Sequence, residues 1–108
     1  MLCEYKLSGT CLSELDTEIR FNIANARQDR AELIRLTLSV ASSEPDAKRI
    51  SNCVIKILRS MMKADLIQFY LNEDDIHSSS TEAEFLLNKY SALILSHEKN
   101  GISFLIKL

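Results

Sequence analysis

The sequence predicts an α+β fold, and three observations carry that expectation. Apolar residues at 50, 53, 54, 57, 58 and 61 recur at helical spacing, residues 3–7 alternate as a strand does, and the chain ends in two apolar runs joined by Asn100-Gly101. Together they predict two or three helices packed on one face of a small, mostly antiparallel sheet that includes a C-terminal β-hairpin. A length of 108 residues fits one domain, residues 1–108, with an ordinary apolar fraction of 46% and a charged fraction of 26%.

The elements follow in order. Cys3, Tyr5 and Leu7 alternate with Glu4 and Lys6, which suits a short half-buried strand ending at Ser8-Gly9-Thr10. Leu12, Leu15, Ile19, Ile23 and Ala26 then recur at helical spacing, with Ser13 or Asp16 available as a cap. The same region alternates at Ile19, Phe21, Ile23 and again at Leu36, Leu38, Val40, so a hairpin competes. Helix is favoured because Ala24, Ala26, Arg27, Gln28, Arg30, Ala31, Glu32 and Leu33 form helices well and no Asn-Gly pair intervenes. A break is placed near Asn25 or Gln28; one helix, two helices or a hairpin over residues 17–41 all stay open.

Ser43, Pro45 and Asp46 mark a helix start, and the apolar series from Ile50 to Met61 makes residues 44–64 an amphipathic helix. Residues 66–71 read as a strand, Asn72-Glu73-Asp74-Asp75 as its stop, and residues 81–90 as a short helix with Ala83, Leu86, Leu87 and Tyr90 on one face. In the hairpin, a two-residue turn at Asn100-Gly101 sets His97 opposite Phe104, Leu95 opposite Ile106 and Leu93 opposite Leu108. One face of that hairpin is then apolar and the other mostly polar.

Charge points to one surface. Lys48, Arg49, Lys56, Arg59 and Lys63 fall within about a 100° sector of the 44–64 helix, opposite its apolar face. No acidic residue lies between Ala47 and Ala64. Clustered cations of this kind meet phosphates or an acidic protein surface, although they equally suit a solvated face near a helix C-terminus. With a net charge of −2, the whole chain is not the strongly basic object expected of a dedicated nucleic-acid module.

The run of a helix, a Ser-Ser-Glu-Pro turn, this basic helix and then Ala64-Asp65-Leu66-Ile67-Gln68-Phe69-Tyr70 resembles the core of winged-helix regulators, over residues 29–71. That resemblance implies a DNA-binding role in which the basic helix contacts phosphates. The sequence departs from the pattern after residue 71, where a wing would return at once. Along the middle of the polar face Asn52 is the one side chain suited to reading base edges.

Other chemistry has weaker support. Glu73, Asp74, Asp75 and His77 form an acidic cluster that lacks the spacing of a calcium loop, and His97 stands at a strand end; a metal-dependent hydrolase built on them is the least favoured reading. Two glycines in the chain leave no room for a nucleotide-binding fingerprint, and no nucleophile elbow is present. No metal or cofactor is expected. Three cysteines without ligand spacing read as reduced thiols, and no run approaches the ~20 apolar residues of a membrane span, so a cytoplasmic protein is expected. Phe21 and Phe85 lie off the main faces of their helices, and Met61-Met62 ends the long one, which leaves apolar surface for a partner. The favoured function is therefore a small non-enzymatic interaction protein that forms a homo-oligomer or binds another protein. The DNA-binding regulator stands as the alternative.

Overall fold

The computed structural model describes residues 2–38, 44–62, 71–72, 80–97 and 101–108. In chain order they form β1 (Leu2–Leu7), α1 (Leu12–Gln28), β2 (Leu33–Leu38), α2 (Glu44–Met62), β3 (Leu71–Asn72), α3 (Ser80–Lys89), β4 (Ala92–His97) and β5 (Gly101–Lys107). The α+β class is as expected. The five strands make one sheet in the order β1-β2-β5-β4-β3. β1–β2 and β3–β4 are parallel pairs, and β5 runs antiparallel to both of its neighbours. The sheet is thus mixed, with β5 alone reversed.

Two helices cover one face and the third covers the other. Leu15, Ile19, Ile23 and Ala26 of α1 and Val54, Ile57 and Leu58 of α2 meet Ile34, Leu36, Ile94, Ile102, Phe104 and Ile106. On the opposite face Leu87 of α3 packs with Leu93, Leu95 and Leu105. The split follows from the path of the chain. Steps from β1 to β2 and from β2 to β3 cross the sheet in one direction, whereas β3 to β4 steps back. Parallel crossovers share one hand, so reversing the direction moves the connecting helix to the other face.

That arrangement corrects the expected hairpin. Leu93 pairs with Leu105, Ile94 with Phe104, Leu95 with Ser103, and His97 with Gly101. Ile106 faces Ala92 rather than Leu95, and His97 is not opposite Phe104. Asn100 lies outside the described residues; Gly101 has φ 140°, a backbone that favours glycine. The hairpin is also not apolar on one face only, because Ile102 through Ile106 are all buried. A central strand between two helical layers has no wet face.

Residues 33–38 form a strand, so the favoured reading of helix through Leu33 does not hold. Chain 12–38 is one helix followed by one strand. The helix ends at Gln28 and the chain turns at Arg30, whose φ is 58°, with Arg30 N–H donating to the Arg27 carbonyl at 3.1 Å and Ala31 N–H to the Ala26 carbonyl at 2.9 Å. This pair of bonds is a Schellman ending, usually marked by glycine. Beyond it, Ile34, Leu36 and Leu38 are buried against the α1–α2 layer, and that burial outweighs the helix propensity of Ala31-Glu32-Leu33.

The start of α1 differs as well. Cys11 occupies the N-cap without a side-chain cap bond, Asp16 pairs with Arg20, and Glu14 reaches back to the Thr10 N–H at 3.0 Å. Neither Ser13 nor Asp16 caps the helix. The winged-helix resemblance loses its first helix among the described residues, since β2 stands ahead of α2. β3, the first described strand after α2, lies parallel to β4. Residues 66–70 and the acidic cluster of Glu73, Asp74, Asp75 and His77 lie outside the described residues. Among the described residues, no helix is long and apolar enough to cross a membrane, and no three His, Cys, Asp or Glu side chains converge on a metal-binding position.

Candidate anion-binding face

α2 is amphipathic because its apolar residues return every three or four positions. Val54, Ile57 and Leu58 are buried in the main core, with Ile50, Cys53, Met61 and Met62 partly buried around them. This fixes the rotation of the helix and turns the opposite sector to solvent. Lys48, Arg49, Lys56 and Arg59 are all exposed there. Lys63 lies outside the described residues. Among the described residues none of the four cations pairs with a carboxylate; the one ion pair found joins Arg20 to Asp16.

A shallow depression of about 330 Å³ runs along this face, lined by Asn52, Ile55, Lys56 and Arg59. The spacing i, i+3, i+4, i+7 places these four on one stripe. Ile55, buried in the main core, forms the floor, Asn52 adds an amide, and Lys56 and Arg59 add two positive heads. Such a surface accepts a carboxylate or phosphate carried on an apolar or extended stem. Arg59 stands in the last turn of α2, where the helix dipole favours a cation, so its charge is accommodated without a neighbouring acid.

α1 closes one flank of the stripe. Arg20 is held by Asp16 one turn earlier, and its other end donates to Ser60 Oγ of α2 at 3.3 Å. This bridge leaves α1 and α2 side by side on the sheet, with the cationic stripe beyond Ser60.

Sequence periodicity located the cations and Asn52 but not Ile55. The signal was available: Ile55 is the aliphatic residue that falls outside the 50, 53, 54, 57, 58, 61 register. His97 ends β4 opposite Gly101. Comparison with protein-family models, curated proteins and solved structures finds no match to this chain.

Proposed function

We propose that this chain is a small non-enzymatic interaction protein that self-associates and offers the cationic face of α2 to an acidic protein surface. One observation carries the reading: Lys48, Arg49, Lys56 and Arg59 are exposed on one side of one helix, without carboxylate partners among the described residues. In a chain of net charge −2, such segregation is a means of steering and orienting a complementary surface. A protein partner is favoured over nucleic acid because, among the described residues, a strand rather than a helix precedes α2. Exposed Phe21 and Phe85, each 66% accessible, support self-association.

The test is fluorescence anisotropy at low salt with a labelled Asp/Glu-rich peptide and, separately, a mixed-sequence DNA duplex. The expected result is peptide binding that weakens with added salt and falls roughly tenfold or more in Lys56→Glu/Arg59→Glu. No peptide binding, or equal binding by the variant, overturns the reading. Duplex binding lost in the variant would assign the face to nucleic acid instead.

A further inference from the structure

We propose that two copies of this chain join edge to edge through β1, antiparallel about a two-fold axis at Tyr5, so that their sheets become continuous. The proposal rests on the reading that the chain self-associates, and it names the surface that does so.

Among the described residues β1 is an edge strand of six residues, paired on one side with β2 alone. Alternate residues of such a strand point their N–H and C=O groups outward, where a further strand satisfies them. The side chains then restrict what that strand can be. Leu2, Glu4 and Lys6 are exposed on one face, while Cys3 and Tyr5 are half-buried on the other against the main core.

Geometry permits only certain self-pairings. Residues directly opposite in an antiparallel ladder share a face, so a two-fold axis perpendicular to the sheet must pass a residue facing its own copy. An axis at Glu4 sets Glu4 against the partner's Glu4. An axis at Lys6 sets Lys6 against the partner's Lys6. Only the axis at Tyr5 sets Glu4 opposite the partner's Lys6, twice over by symmetry, with Cys3 opposite the partner's Leu7. Like charges directly opposite destabilise a sheet and unlike charges stabilise it, so charge selects the Tyr5 axis.

The neighbours within each copy agree. Glu4 lies beside Arg35 on β2, whereas Lys6 lies beside Thr37 and has no acid across from it in its own sheet. Glu4, Tyr5, Lys6, Arg35 and Thr37 line an open depression of about 380 Å³ at this edge. Joined about Tyr5, the row across the seam reads Arg35, Glu4, the partner's Lys6, the partner's Thr37. Its charges alternate.

Arg20 reaches toward α2 at Ser60, so the flank of α1 away from α2 overhangs β1. A continuous sheet brings the two α1 helices next to each other on the same face.

Size-exclusion chromatography with light scattering tests this on the full chain, using wild type, Glu4→Lys, Lys6→Glu, the doubly swapped chain, and an equal mixture of the two single variants. Each single reversal places like charges opposite at both ends of the seam and is expected to weaken the dimer roughly 10- to 50-fold. Mixing the single variants, or combining both changes in one chain, restores it. Hydrogen exchange provides a readout that needs no variant: amides of residues 2–7 lose protection as the wild type is diluted through its dissociation midpoint. A wild type that stays monomeric at millimolar concentration overturns both this proposal and the self-association reading. A dimer that every variant retains equally, or β1 protection independent of dilution, overturns the β1 seam alone.

Discussion

Ser8 donates both its backbone N–H and its hydroxyl to the Glu18 carboxylate, each at 2.9 Å, tying the end of β1 to the middle of α1. The turn between strand and helix is therefore held by a side chain ten residues away in addition to the local bond from Thr10 N–H to Glu14. Glu18→Ala is expected to lower stability by about 1 kcal/mol, kept small by solvent around Ser8. Thermal melts would show this as a drop of roughly 4–8 °C. Ser8→Ala removes only the hydroxyl bond and should cost less; an equal cost from both would sink the two-bond account.

Gly9 sits inside the same turn and is buried. A Cβ built there would stand 2.9 Å from Glu14 Cβ and 3.0 Å from the Leu15 nitrogen, both fixed to the first turns of α1. Gly9→Ala must push the turn away from the helix, at a cost of about 1–3 kcal/mol. Urea unfolding should show a lower midpoint with an unchanged slope. An unaltered midpoint would mean that the turn moves freely.

Arg30 runs the other way. Its φ of 58° is strained for a residue with a Cβ, and glycine is the usual occupant of that Schellman position. Arg30→Gly should raise stability by about 0.5–1 kcal/mol despite glycine's greater freedom in the unfolded chain. A destabilised variant would show that the Arg30 side chain contributes more than its backbone strain costs.

Leu105 distinguishes a two-sided core from a one-sided one. It is 7% exposed and packs with Leu87, Leu93 and Leu95 beneath α3. Leu105→Ser is expected to cost about 3 kcal/mol or more, comparable to Phe104→Ala on the opposite face. Chemical denaturation of the two variants makes the comparison. Were α3 not covering that face, Leu105→Ser would change stability by no more than about 0.5 kcal/mol.

The sequence showed where most elements lie but not how they meet. β1, α1, α2 and α3 stand close to the residues that their periodicity marked, and the cations of α2 lie on the face that helical spacing assigned. β2 was hidden by the helix formers ahead of it and by an α1 ending that uses Arg30 in place of glycine. The site was legible in its charges, since exposed cations opposite an apolar stripe need only one helix to define them. Ile55 was not, because its role depends on what surrounds the depression. Self-complementarity at β1 was equally out of reach, for nothing in residues 2–7 says that the strand is an edge.

By itself, then, the sequence determined the rotation of α2 and the alternation of β1, features set by the repeat of one helix or one strand against solvent. The tertiary structure decided the register of β4 on β5, the face taken by α3 and the fate of residues 33–38. The reason is physical. Alternation encodes register only while one face of a strand is wet, and β5 is buried on both. With α1 and α2 on one side and α3 on the other, an apolar residue fits either face, and only the packed layers choose between them.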